Sequence, residues 1–349
     1  MSGGSLTVPL YKNNVLRTKT IAYPLLIITP VLIAFLSVCL GRYMVAPGDV
    51  FKILLSNIAD IPRTWSEMDT SVVMQVRLPR IIIALLAGAA MSVAGAAMQG
   101  MLSNPLASPD TLGVASGASF GAALALLFTG NMIAVQLVAM LFGLVAMALA
   151  YIISLVRKKS STIMIILAGV IVAAFFEALV SLVKYVADPD TKLPAITYWL
   201  MGSFANTTYK GILASLPGIV IGMGIIIALR WRINTLTLHE DEAGTLGVKV
   251  IYIRIALILA SAVITSSVIA LSGKIGWVGL VIPHMVRMIV GTNHKKVIPV
   301  SISIGACYLL LIDDLARCLT AAEIPISILT AVVGAPFFAV LLRKTGGSW

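Results

Sequence analysis

The feature that most constrains this chain is a succession of long, nearly uncharged apolar stretches separated by short charged ones. They lie near residues 22–41, 79–98, 111–129, 132–155, 162–186, 211–229, 255–272, 276–290, 297–313 and 324–342. A helix needs about 20 apolar residues to cross the hydrocarbon core of a bilayer. Backbone polar groups find no water there, so a helix is the natural solution for such a run. Apolar residues fill 59% of the 349 positions, roughly 206 residues, which is room for about ten spans. Charged residues make up 11%, against about 25% in soluble domains. The reading is an all-α polytopic membrane protein with about ten transmembrane helices, a single domain over residues 1–349 that spans the membrane between about 22 and 342.

The formal charge of +11 falls in clusters between the apolar runs rather than on one face, which is the pattern of membrane loops and not of a nucleic-acid surface. Ten spans put both termini on one side. With that side cytoplasmic, the inner segments carry Lys12, Arg17 and Lys19, then Arg157, Lys158 and Lys159, then Arg230, Arg232, Lys249 and Arg254, then Lys295 and Lys296, and finally Arg343 and Lys344. The outer segments hold Asp49, Asp60, Glu67, Asp69, Asp188 and Asp190. The positive-inside rule therefore predicts cytoplasmic termini in an inner membrane. The polar start of the chain, followed by a long apolar run, reads as a retained first helix rather than a cleaved signal. Cys39, Cys307 and Cys318 lie in or beside apolar runs without CxxC spacing, and read as packing residues.

Within the spans, Gly113, Gly117 and Gly121 recur every fourth residue, and residues 87–100 are rich in small side chains and include Gln99. Small residues at that spacing let helix backbones approach in lipid, either as general packing or as the lining of a pathway. Residues 187–210 contain TYWLMGSF and read as a short helix at the membrane interface or as an ordinary interfacial loop. Glu177 is the deepest ionisable group and lies seven residues before Lys184, too far for direct pairing. Lys184 and Arg287 lie near span ends, where snorkelling to the headgroups accounts for them.

Catalytic machinery is not evident. His239, His284 and His294 are scattered without metal-ligand spacing, and no GxSxG or GxxxxGK[ST] motif occurs, the nearest fragment being SGKIG around Lys274. No metal site or bound cofactor is expected in the chain itself. A transporter without its own P-loop is either an ion-coupled carrier or a membrane subunit driven by a separate ATPase. The longest inner connection, residues 230–254, carries Glu240, Asp241 and Glu242 ahead of Gly247. An acidic first turn and a terminal glycine describe a short cytoplasmic helix, which serves equally as a solvated connector or as a contact for a partner.

Several stretches in order bear a resemblance. They are RLPR (residues 77–80), GAAMSVAGAAMQGMLSNPLASPDTLGVASGA (88–118), LAG (167–169), YWLMGS (198–203), EAGTLGV (242–248), GWVGLVIPHMVRMIVGTNHKKVIP (276–299), DDLAR (313–317) and EIPISILTAVVGAPFF (323–338). On these the chain resembles the permease subunit of the ATP-binding-cassette importers for ferric siderophores, haem and vitamin B12, a type II importer family. The resemblance implies a homodimer with a path between the copies, two ATP-binding subunits holding ATP and magnesium on the cytoplasmic side, and a substrate-binding protein outside. It implies that Leu238, Glu240, Asp241, Glu242, Ala243, Leu246 and Gly247 belong to a segment that couples to the ATPase. It likens Asn104, Pro105 and Leu106, with Ser161 and Thr162, to gate positions on the path, and Arg77, Arg80 and Arg317 to arginines that dock the binding protein. Two positions depart from the pattern: Ser327, where glycine is frequent, and Asp314, a second acid beside Asp313. An oxyanion importer of the same fold and an ion-coupled carrier are the alternatives.

Overall fold

The structure is a computed structural model that describes residues 12–155, 162–236, 250–320 and 322–345. The regular structure of the described residues is helical. In chain order it comprises α1 (Lys12–Cys39), α2 (Pro47–Leu55), α3 (Glu67–Ser71), α4 (Leu78–Met101), α5 (Val114–Phe128), α6 (Met132–Ser154), α7 (Thr162–Val186), α8 (Lys192–Leu200), α9 (Tyr209–Leu229), α10 (Val250–Ser272), α11 (Val278–Val290), α12 (His294–Cys318) and α13 (Ile326–Thr345). A π-helical turn, Val72–Arg77, joins α3 to α4, and short 3₁₀ turns occupy Pro109–Leu112 and Arg232–Thr235. Each of the ten apolar stretches coincides with a helix, and the 187–210 connection contains the short helix α8. Among the described residues six helical segments are long and apolar enough to cross a membrane, and four further apolar segments, such as Val114–Phe128 and Val278–Val290, are shorter.

Two boundaries differ from the hydropathy reading for physical reasons. The third stretch begins its α-helix at Val114 rather than near 111, because Pro109 opens a 3₁₀ turn that ends on Gly113 in the left-handed region, φ 73°. Glycine adopts that conformation without Cβ strain. The ninth stretch runs on to Cys318 instead of stopping at 313, because Asp313, Asp314 and Arg317 are paired inside the protein and need not leave the helix for water. Asn131, Thr208 and Asn293 cap α6, α9 and α12 with side-chain oxygens on first-turn N–H groups.

Burial separates a central helix from peripheral ones. The most apolar window of the segment containing α4 is 83% buried, whereas those of α6 and α7 are each 33% buried and that of α9 is 28% buried. The outward residues of α6, α7 and α9, among them Leu141, Leu167, Phe175 and Ile221, are bulky and apolar, as contact with lipid tails requires. α4 is instead built of alanine, glycine, serine and methionine, and packs against α10, α11 and α12. A Cβ on Gly95 would overlap the carbonyl of Gly279 in α11, and one on Gly88 would overlap the carbonyl of Gly305 in α12. Lipid is as apolar as leucine, so helices associate in it through such close backbone approach. α5 follows the same rule, with Gly117 and Gly121 against the α6 backbone at Phe142 and Val138. Phe120, Phe142 and Phe176 then interlock α5, α6 and α7, with ring centroids 5.0 to 6.4 Å apart.

Replacing Gly95 by leucine forces a branched side chain into the α4–α11 backbone contact. Overpacking of this kind costs roughly 1–3 kcal/mol or more. The expected outcome is a lower thermal midpoint and a lower monodisperse yield in detergent than for Gly130→Leu, whose Cβ meets open space. Equal midpoints for the two variants contradict the packing account.

Candidate functional site

The C-terminal ends of α1 and α12 meet the N-terminal end of α4 in a buried ionic cluster. Arg80 straddles Asp313, with Nε 2.9 Å from both carboxylate oxygens and Nη2 2.9 Å from Oδ1, and its Nη1 donates to Glu323 at 2.7 Å. Arg317 donates from Nη2 to Asp314 Oδ1 at 2.6 Å and to the Ser37 carbonyl at 2.5 Å, and from Nη1 to the Leu40 carbonyl at 2.9 Å. Arg77 donates to the carbonyls of Val38, at 2.6 Å, and Tyr43. The last carbonyls of α1 have no intrahelical donor, and two guanidinium groups close that end while opposing its negative dipole.

The structure brings Arg77, Arg80 and Arg317 together at this one end of the bundle. They are 4%, 5% and 7% exposed, and their forks are engaged within the chain rather than presented outward. It also accounts for the doubled acid: Asp313 serves Arg80 while Asp314 serves Arg317 and accepts from Ser37 Oγ at 2.6 Å. Ser327, the other departure, donates to the Met201 carbonyl at 2.6 Å and ties the start of α13 to the end of α8.

At the opposite end of α4 the chain turns sharply. Ser103 adopts φ 47°, unusual for a residue with a Cβ. Asn104 N–H bonds back to Gln99 O at 3.2 Å, Asn104 Oδ1 accepts from Leu106 N–H at 2.9 Å, and Ala107 N–H closes on Asn104 O at 3.1 Å. Asn104, Pro105 and Leu106 are thus brought together in one compact turn, with Leu106 exposed. Asn104 and Pro105 line a cavity of about 730 Å³ together with residues of α11 and of the α11–α12 connection. Thr162 is the first residue of α7, and Ser161 lies outside the described residues. Leu238, Glu240, Asp241, Glu242, Ala243, Leu246 and Gly247 likewise lie outside them; the described chain stops at Leu236 and resumes at Val250.

Several residues of this end were not evident from the sequence. Asn234, in the 3₁₀ turn just before that gap, accepts from the backbone N–H of His294 at 2.9 Å, and its Oδ1 lies 3.0 Å from His294 Nδ1. Its amide donates to Asn293 Oδ1 at 3.2 Å. His294 is thereby held 4% exposed beneath the connection, although its sequence position reads as an open loop. Arg287 does not snorkel: its Nη2 turns inward to Gln99 Oε1 at 2.5 Å, and Gln99 Nε2 donates to Leu280 O at 3.1 Å. Glu177 pairs not with Lys184 but with Lys274, at 3.6 Å, and accepts from Ser116 at 3.2 Å.

Breaking this ionic cluster from one side leaves a buried charge. Removing one partner of such a pair costs about 3–5 kcal/mol. Asp313→Ala should lower the detergent thermal midpoint by many degrees, and Arg63→Ala, which removes an exposed pair with Glu67, should leave it nearly unchanged. Similar midpoints for the two variants contradict the structural role given to Asp313.

Comparison with known proteins agrees with this architecture. Residues 27–344 match the FecCD transport family. The chain is 41% identical over 314 residues to the molybdate import system permease protein MolB of Haemophilus influenzae, covering 90% of this chain and 93% of that one. It is 37% identical over 317 residues to the vitamin B12 import system permease protein BtuC of Escherichia coli, covering 89% and 91%. A solved inward-facing structure of a metal-chelate type ABC transporter superposes with a TM-score of 0.81 at 40% identity, covering 91% of this chain and 97% of that chain. With helices at every apolar stretch and a family match across nearly the whole length, the chain belongs to the FecCD transport family and is an integral membrane permease, a transport component rather than an enzyme.

Proposed function

We propose that this chain is the membrane-spanning subunit of an ATP-binding-cassette importer that carries an iron chelate, such as a ferric siderophore or haem, or cobalamin inward across the cytoplasmic membrane by alternating access. The observation that carries the reading is the family match over residues 27–344. A relative from Helicobacter pylori described as an iron chelatin transport system permease, 38% identical over 276 residues, is of the same kind. A molybdate-type oxyanion is the second cargo reading, favoured by the 41% identity to the Haemophilus influenzae molybdate permease.

In this reading ten helices span the bilayer, both termini are cytoplasmic, and two copies flank the path. Two partner subunits bind ATP and magnesium and contact the segment from Leu238 to Gly247, while a substrate-binding protein docks outside. The turn Asn104–Leu106 with Ser161 and Thr162 forms the cytoplasmic gate. Arg77, Arg80 and Arg317 act at the docking end by holding α1, α4 and α12 in register, so that the surface above them keeps its shape. ATP binding shifts the equilibrium between outward and inward states only by its differential affinity for them. The segment around Glu240 is where that energy enters.

The test is uptake into proteoliposomes holding this chain, its ATP-binding subunit and its binding protein. Labelled ferric siderophore, haem, cobalamin and molybdate are offered in turn. ATP-dependent accumulation of one cargo is expected; accumulation that persists without ATP contradicts the reading and favours an ion-coupled carrier. In the same vesicles, Asp241→Lys should abolish uptake while the chain still inserts, because it reverses charge where the ATPase is expected to bind. Unchanged uptake at normal expression removes the coupling role of the 238–247 segment.

A further inference from the structure

The cavity at the cytoplasmic end of α4 is chemically one-sided. Four side-chain amides line it, and the oxygen of each is already bonded inside the chain. Asn104 Oδ1 accepts from Leu106 N–H at 2.9 Å, and Asn234 Oδ1 accepts from the His294 N–H at 2.9 Å. Asn293 Oδ1 accepts from Lys295 N–H at 3.0 Å, and Gln99 Oε1 accepts from Arg287 at 2.5 Å. A backbone N–H can only donate, so the three asparagine amides are fixed with oxygen toward the backbone. Asn234 and Gln99 also donate, to Asn293 Oδ1 and Leu280 O, which leaves the N–H groups of Asn104 and Asn293 facing the cavity.

The lining holds a cation without a counter-charge. Arg287 is half-buried and reaches the cavity from α11, and its guanidinium forms no ion pair among the described residues. Among the described residues no aspartate or glutamate lines the cavity. This contrasts with Arg80 and Arg317 at the other end, each seated on a carboxylate. A desolvated guanidinium with only an amide oxygen beside it gains strongly from an anion, and its planar fork suits oxygen anions in particular.

We infer that this cavity is an anion site on the import path, in which the guanidinium of Arg287 and the amide N–H groups of Asn104 and Asn293 take the oxygens of the cargo as it leaves for the cytoplasm. The inference rests on the import reading above and narrows its cargo to an oxygen-bearing anion. A metal oxyanion and a negatively charged ferric catecholate are of that class, and the volume of about 730 Å³ accommodates either. Uncharged ferric hydroxamates and cyanocobalamin are not of that class. Asn104 then serves both the gate turn, through its oxygen, and the cargo, through its nitrogen.

The test is calorimetric titration of the purified importer, with its ATP-binding subunits, in phosphatidylcholine nanodiscs. The probes are tungstate and a ferric tris-catecholate, with a neutral ferric tris-hydroxamate as the uncharged comparison. Saturable binding of both anions is expected, weakening as salt is raised. Arg287→Gln should weaken it by about ten-fold or more, while Arg287→Lys, which keeps the charge and loses the fork, should weaken it less. Thermal midpoints of both variants report whether they fold. Absence of anion binding, or equal affinity in Arg287→Gln, or equal binding of the neutral chelate, overturns the inference. Binding that is lost in Arg287→Gln while the importer shows no ATP-driven uptake of any cargo supports the anion site and overturns the import reading instead.

Discussion

Everything in this protein is arranged around the backbone contact that α4 makes with two neighbouring helices. In a membrane there is no gain in moving a leucine from lipid to protein, so helices need close approach or polar contacts to hold together. Gly95 against Gly279 and Gly88 against Gly305 supply the approach. They fix α11 and α12 on α4, and the two ends of α4 then inherit their chemistry. At its N-terminal end Arg80 meets Asp313, which α12 delivers; at its C-terminal end Gln99 meets Arg287, which α11 delivers. A shift of α4 by one residue would turn each polar group about 100° away from its partner.

The two ends treat charge in opposite ways. At the N-terminal end of α4, two arginines are paired with carboxylates and a third caps carbonyls, so that end is electrically settled and mechanically stiff. At the other end Arg287 meets an amide oxygen and no carboxylate among the described residues, and Ser103 holds an uncommon backbone conformation nearby. Sparsely populated backbone conformations persist where surrounding structure holds them and cluster at ligand clamps and switches.

The helices were legible in the sequence because hydropathy acts through composition and run length, which one chain displays directly. The places where helices end were less so. The helix through Asp313, Asp314 and Arg317 continues because its charges find partners on α1 and α4, more than 200 residues away in the case of Arg80, and separation of that kind leaves no local trace. The burial of Arg77, Arg80 and Arg317 was hidden for the same reason: an arginine near a span end looks alike whether it faces water or caps a neighbouring helix. The turn at Asn104–Leu106 was legible through its motif. The His294–Asn234 pair that lines the same cavity was not, since a buried imidazole in a sequence of polar loop residues shows itself only when the chain is folded. The acidic segment around Glu240 lies outside the described residues, and its reading stays with the family.

Alternating access at the turn carrying Asn104 is the central claim, and a distance between the two copies measures it most directly. A spin label on Asn104→Cys, in the importer assembled with its ATP-binding subunits, gives the separation of the two gates by pulsed electron resonance. The account predicts two distinct distances, one without nucleotide and another when ATP is bound and hydrolysis is blocked, with the exchange lost in Asp241→Lys. A single distance unchanged by nucleotide would contradict it.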